Sequence, residues 1–381
     1  MKTKYSDARA VEWELRTEEP FYMGDAIDAI PAVLNACLEM DLLSSIQKAL
    51  EKVKPRRIYG VGTGTSYNVC EAIVYTCRIY LNIPAEVYDA LDFELDTPFG
   101  VDAHSLVISI SHSGNTLATS LAVEKAKSLG AFTVGIAAVP GSRLPETADF
   151  GLIDPNPYEG RPRGKTRSYH SSVLLGILVA LATASPKLMD EFVSETKKVA
   201  ELIHTNLELW KKETRELASQ WVGVTSRYML AGFGAQKPNA DEIGLKIIEV
   251  IGENATSYSL EELTHGPGAS FRKDMGIFLF QTDPRTMKRC LEIASGIVVS
   301  DARLVVITDQ ISAGWPEKAS IIGVPVLSRP ELFGLFPAAV AAQCLLYYLA
   351  IAKGMNPDIN CLDQHPEIAE VSAIFFPPGT H

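Results

Sequence analysis

Arg57-Ile58-Tyr59-Gly60-Val61-Gly62-Thr63-Gly64-Thr65-Ser66 decides the fold of this chain, because the design occurs twice. The second copy is Arg227-Tyr228-Met229-Leu230-Ala231-Gly232-Phe233-Gly234-Ala235-Gln236, and a shift of 170 residues lays one on the other without a gap. Gly62 then falls on Gly232, Gly64 on Gly234, Ile73 on Ile243, Ala85 on Ala255 and Tyr88 on Tyr258. The same shift carries Leu106–Ile110 onto Gly276–Phe280, and Phe132–Ala137 onto Ala302–Ile307. Self-similarity of this length implies two copies of one fold. Each copy reads strand, glycine turn, helix, strand, loop, strand, turn, helix, strand. Continuous apolar strands alternating with helices belong to a parallel sheet covered on both faces. The expected class is α/β: two doubly wound, flavodoxin-like parallel-sheet domains related by internal duplication. Ligands are then expected at the carboxyl ends of the strands.

Around these copies the chain divides into a helical arm over residues 1–50, a first domain over 51–185 and a helical linker over 186–220. A second domain follows over 221–355, and a tail over 356–381. Within the linker, Leu188 to Leu217 places apolar residues at helical spacing. Lys+Arg 35 against Asp+Glu 46 gives a net charge of −11 over 381 residues. Neither nucleic acid nor an anionic membrane suits so acidic a surface, since both require a basic footprint. The six cysteines are scattered without CxxC pairs, and none of His104, His112, His170, His204, His365 and His381 has ligand spacing, so neither metal nor cofactor is expected. Val173–Ala184 and Ala338–Ala352 are too short for a membrane span and read as core helices. With no basic-then-apolar leader, the expectation is a soluble, cytoplasmic protein.

Gly60-Val61-Gly62-Thr63-Gly64 resembles a dinucleotide fingerprint only in part, because its third glycine comes one position early. Asp89, at the end of the next strand, does not repair the match. The alternative is a turn whose glycines let the backbone approach a sugar phosphate closely. A second hydroxyl-rich turn, Ser111-His112-Ser113-Gly114-Asn115-Thr116, follows the buried run Leu106–Ile110 and precedes a helical pattern. Free N–H groups, the positive end of the helix dipole and serine hydroxyls together form an anion site. Ordinary helix capping explains the same residues. The 170-residue shift places Gln281-Thr282-Asp283-Pro284-Arg285-Thr286 on this turn. There the glycine is lost and Asp283 stands where the first copy has Ser113; a carboxylate repels phosphate at contact range. Only the first copy is expected to hold phosphate in this way.

The second copy carries other chemistry. Glu242, Lys246, Glu249 and Glu253 follow its glycine turn, with Lys246 and Glu249 sharing a helix face. Beyond them runs Glu261-Glu262-Leu263-Thr264-His265-Gly266-Pro267, whose Gly-Pro turn is suited to presenting an imidazole. A solvated charged face and a structural histidine are the plain alternatives.

At these residues the sequence resembles the tandem SIS (sugar isomerase) domain family, above all the isomerase module of glutamine-dependent glucosamine-6-phosphate synthase. The match rests on Gly64-Thr65-Ser66-Tyr67-Asn68, Ser111 to Thr116, Val139-Pro140-Gly141-Ser142, Leu245-Lys246-x-x-Glu249 and His265-Gly266-Pro267. The resemblance implies that Ser66, Ser111, His112, Ser113 and Thr116 hold a hexose 6-phosphate, with His112 where glutamine is usual. It implies further substrate contacts at Gly64, Thr65 and Thr166. It makes Glu249 the base between C1 and C2, Lys246 its neighbour, and Glu262 and His265 part of the ring-opening segment. Because that histidine crosses a subunit interface in the synthase, a homodimer with a shared site is implied.

Three departures stand beside the match. The chain starts Met1-Lys2-Thr3 with no glutaminase, so glutamine-dependent synthesis by this chain alone is not expected. The tail reads Ala369-Glu370-Val371-Ser372-Ala373, without the family's Schiff-base lysine. Lys165-Thr166-Arg167 replaces Ser-Thr-Lys, preceded by Arg161 and Arg163. The expected function is aldose–ketose isomerisation of an amino-hexose 6-phosphate, like a glucosamine-6-phosphate deaminase, by Glu249-mediated proton transfer. A fructosamine-6-phosphate deglycase and a non-catalytic sugar-phosphate sensor are the alternatives.

Overall fold

In the computed structural model, which describes residues 5–6, 13–326, 328–361, 369–375, 377 and 380, ten strands form two five-stranded sheets. The first contains β1 (Arg57–Gly62), β2 (Ala85–Asp89), β3 (Ser105–Ile110), β4 (Phe132–Ala137) and β5 (Phe150–Ile153). The second contains β6 (Arg227–Gly232), β7 (Asn254–Ser259), β8 (Met275–Gln281), β9 (Arg303–Thr308) and β10 (Ser320–Gly323). The orders β2-β1-β3-β4-β5 and β7-β6-β8-β9-β10 are the same doubly wound pattern, and every pairing is parallel. Both central strands, β3 and β8, are buried along their whole length, as their unbroken apolar runs require.

Register shows how far the duplication extends. Gly62 pairs with Asp89 as Gly232 pairs with Ser259, and Arg57 pairs with Ser105 as Arg227 pairs with Met275. One expectation shifts: Leu106 pairs with Phe132, but Gly276 pairs with Arg303 rather than Ala302. The helix Met287–Val299 is one residue longer than its counterpart Leu117–Ser128, which moves β9 along by one.

After each glycine turn comes a helix, Thr65–Thr76 or Gln236–Lys246, and each ends in a π turn at the equivalent place, Cys77–Leu81 or Ile247–Ile251. These two helices face each other across the boundary between the halves. A single large core spans both sheets, joining Ile58 and Leu106 to Phe278 and Ile307. Smaller clusters lie on the outer faces. The stretch read as a linker is a 36-residue helix, Pro186–Trp221, whose Trp210 and Trp221 are buried in that shared core. Leu335–Ala352 is long and apolar enough to cross a membrane, but 89 % of it is buried inside the protein, as suits a core helix.

Candidate functional site

Glycine is required at both first turns for steric reasons. A Cβ on Gly62 would lie 2.6 Å from the Ser66 carbonyl, and one on Gly232 would overlap that of Gln236, so only glycine lets the helix start against its strand. Gly64 then turns the chain at φ +60°, and Ser66 follows half-buried at the helix start. In the Ser111–Thr116 turn, the Ser111 and Thr116 hydroxyls are 3.1 Å apart. Ser113 Oγ accepts the Asn115 N–H at 3.3 Å, while Gly114 bends at φ +71° with its Cα against Ser142. Leu117, the first residue of the next helix, donates its N–H to Thr380 O at 3.0 Å, so one helix-start donor is already used.

The second half contributes three charged groups on one helix face. Lys246 Nζ lies 2.5 Å from Glu249 Oε2 and 3.7 Å from Glu242 Oε1. Lys246 and Glu242 are almost fully buried, whereas the Glu249 side chain is 28 % exposed. Burial works to lower the Lys246 pKa, but Glu242 and Glu249 outweigh it and hold the ammonium above its ordinary value. Burial raises the Glu242 pKa against the opposing pull of Lys246. Glu242 also ties the halves together, accepting from Thr65 Oγ1 at 3.1 Å and Asn68 Nδ2 at 2.9 Å.

A loop between β5 and the helix Arg167–Ala182 connects the two chemistries. Its Tyr158 stacks on His112 with ring centroids 4.8 Å apart, and His112 Nε2 accepts the Glu159 N–H at 3.0 Å. That bond puts the imidazole proton on Nδ1. Burial, then Lys165 and Arg167, push the His112 pKa well below its ordinary value, keeping the ring neutral. The expectation of phosphate binding by His112 therefore narrows to its Nδ1–H, because the other nitrogen positions the loop. Glu159 is fully buried at the start of the helix, accepting from the Thr166 N–H and hydroxyl, at 3.1 and 2.8 Å, and from the Ser168 N–H and hydroxyl. At its far end the loop meets the second half, where Gly164 packs against Val250 and the Lys246 stem.

Two of the expected substrate contacts have their hydroxyls engaged within the protein. Thr166 is fully buried and gives its hydroxyl to Glu159, and Thr65 gives its hydroxyl to Glu242. Glu262 and His265 do not join Lys246 and Glu249 within one chain. His265 caps the short helix Leu260–Thr264 with its side chain 76 % exposed, 3.8 Å from Glu261, which is itself paired with Arg289. Glu262 is exposed on the same helix. Glu159 and Tyr158 escaped the sequence reading, because no local spacing links Glu159 to the helix start it serves.

Residues 52–181 match the SIS domain family, and the second half repeats the same strand order. The chain resembles the isomerase part of glutamine–fructose-6-phosphate aminotransferase. To that enzyme of Pyrococcus horikoshii it is 26 % identical over 366 residues, covering 94 % of this chain and 60 % of the relative. The chain spans about half the length of the curated relatives it matches. The C-terminal domain of the aminotransferase from Francisella tularensis shares the fold with a TM-score of 0.76 at 21 % identity, over 91 % of this chain and 99 % of that one. A glucosamine-6-phosphate deaminase from Thermotoga maritima shares it with a TM-score of 0.67 at 21 % identity, over 88 % and 96 %.

Proposed function

We propose that this protein interconverts the aldose and ketose forms of an amino-hexose 6-phosphate, in the manner of a glucosamine-6-phosphate deaminase. The observation that carries the reading is the Lys246–Glu249 pair, held by Glu242 to the first glycine turn and by the 154–167 loop to the hydroxyl turn. Enolisation beside a carbonyl needs a carboxylate base, a cation near the developing oxyanion and a remote anchor that fixes the reacting carbons. Glu249 takes the proton from one carbon and returns it to the next. Lys246 stabilises the charge that develops on oxygen. Ser66, Ser111, Ser113 and Thr116 bind the 6-phosphate. The exposed His265 and Glu262 reach a site by pairing with a second copy of the chain, so a cytoplasmic homodimer with shared sites belongs to the proposal.

The test incubates the purified protein with glucosamine 6-phosphate, and separately with fructose 6-phosphate plus ammonium, following ketose, aldose and ammonia. Turnover that falls by about a thousandfold in Glu249→Gln, within the usual loss for an acid–base group, supports the assignment. Unchanged turnover in that variant removes Glu249 as the base. A protein that gains thermal stability from these sugars yet converts none of them is a sensor.

A further inference from the structure

The N-terminal arm has no part in the function proposed above, yet two of its residues lie on the two loops that meet at His112. Ser6 docks on the hydroxyl turn. Its N–H donates to Gly141 O at 3.0 Å, and its carbonyl accepts from Asn115 Nδ2 at 2.8 Å. Asn115 is buried, and its Oδ1 accepts the Arg143 N–H at 3.1 Å. Beside this bond, the Arg143 guanidinium lies 5.4 Å from the centre of the Tyr5 ring. One side-chain amide therefore joins the arm, the hydroxyl turn and the loop after β4. That loop is also bonded to the turn directly, since Leu144 donates its N–H to Gly114 O at 2.7 Å.

Further along the arm, Trp13 lies on the 154–167 loop. A Cβ on Gly160 would stand 2.7 Å from Trp13 Nε1 and 2.8 Å from Cε2, so the indole rests directly on the Gly160 backbone. The same indole meets Tyr22 edge to face, with ring centroids 5.6 Å apart. Tyr22 is fixed in turn, because its N–H and that of Met23 donate to the Asp358 carboxylate. Gly160 directly follows Tyr158 and Glu159, the residues that stack on His112 and donate to its Nε2. An anion site made of loop hydroxyls and N–H groups binds more tightly when its loops are already ordered, since less ordering is left to the binding step.

We propose, resting on the phosphate assignment made above, that Ser6 and Trp13 are positioning residues for the 6-phosphate. Ser6 acts through Asn115 on the hydroxyl turn, and Trp13 acts through Gly160 on the loop that braces His112. The arm sets the affinity for the phosphate and leaves the proton transfer at Lys246 and Glu249 unchanged. Linkage gives the converse: a bound sugar phosphate fastens the arm to the turn.

The test uses the full chain with glucosamine 6-phosphate. Ser6→Pro, which lacks the N–H given to Gly141, and Trp13→Ala are each expected to raise KM by about fivefold or more, the scale of one hydrogen bond. In both, kcat stays within about twofold of the wild type, and Trp13→Phe restores most of the loss. Because Ser6 acts through Asn115, adding Ser6→Pro to Asn115→Ala should raise KM no further than Asn115→Ala alone. In the wild type, glucosamine 6-phosphate should slow hydrogen exchange at the Ser6 amide, a reading that needs no variant. An unchanged KM in Ser6→Pro or Trp13→Ala, a loss confined to kcat, or Ser6 exchange indifferent to bound sugar overturns the inference and leaves the proposed function standing. A protein that converts no hexose 6-phosphate, but protects Ser6 on binding one, supports the inference and overturns the function. One that binds none overturns both.

Discussion

Glu159 supports more of the site than any residue the sequence singled out. Its carboxylate is fully buried, caps the helix Arg167–Ala182 and fixes the loop that carries Tyr158 and Lys165. Glu159→Ala leaves several buried donors without a partner. It is expected to destabilise the fold by on the order of 3 kcal/mol, checked by denaturant titration. Glu159→Gln keeps the shape and an acceptor oxygen but loses the charge, so its loss should be smaller. The charged pair was legible at this scale: spacing put Lys246 and Glu249 on one helix face, and they lie 2.5 Å apart. What those groups touch was not. The partners of Glu242 lie in the other half of the chain, and His112 meets a loop 47 residues away. Local spacing holds no information about such contacts.

Among the elements, the inner strands were the most readable, because a buried parallel strand is a largely apolar run and this chain states them twice. Equivalent π turns at Cys77–Leu81 and Ile247–Ile251 show that the copies agree even in an irregular feature. The one-residue slip at β9 was hidden, since a lengthened helix leaves no mark on an apolar strand pattern. The loop over 154–167 was also illegible, as it has neither periodicity nor turn signature. The hydroxyl turn gives a prediction at this scale. Gly114 has φ +71°, and a Cβ there would overlap the Ser142 hydroxyl. Gly114→Ala is therefore expected to cost roughly 1–3 kcal/mol, by thermal melting. It should also weaken the stabilisation given by a hexose 6-phosphate more than it weakens the fold, because the turn itself must shift.

At the scale of the molecule, the two halves meet along the glycine-turn helices. Glu71 and its counterpart Asp241 face each other there, lining a cleft of about 650 Å³ together with Tyr67, Asp89, Lys237 and Ser257. A smaller cleft of about 310 Å³, lined by the equivalent positions, opens on the other side. Asp241 is held by Lys237 at 2.5 Å and by the Ser257 hydroxyl, and the largely buried Glu71 carboxyl lies against it. Burial first, then the hydrogen bond and charge of Asp241, raise the Glu71 pKa to about 8 against the opposing Lys237. A carboxyl whose folded pKa exceeds its unfolded value binds more protons when folded. Its contribution to stability is complete below about pH 4, near the unfolded value, and declines as pH rises towards 8. Glu71→Gln is expected to flatten that decline, so its melting temperature should exceed the wild-type value at pH 8 and match it near pH 4. Parallel melting curves at both pH values would show that the pair carries no such proton.

The central claim is a division of labour in which the first half anchors the phosphate and the second half moves the proton. Deuterium exchange at C1 and C2 of a hexose 6-phosphate in D2O, followed by NMR, measures the proton transfer itself, independently of the final product. The wild-type protein should wash deuterium into the sugar. Glu249→Gln should stop the exchange while sugar phosphate still raises its melting temperature, and the Ser111→Ala, Ser113→Ala double variant should lose that stabilisation. Exchange that persists in Glu249→Gln, or sugar-phosphate stabilisation undiminished in the double serine variant, would contradict the account.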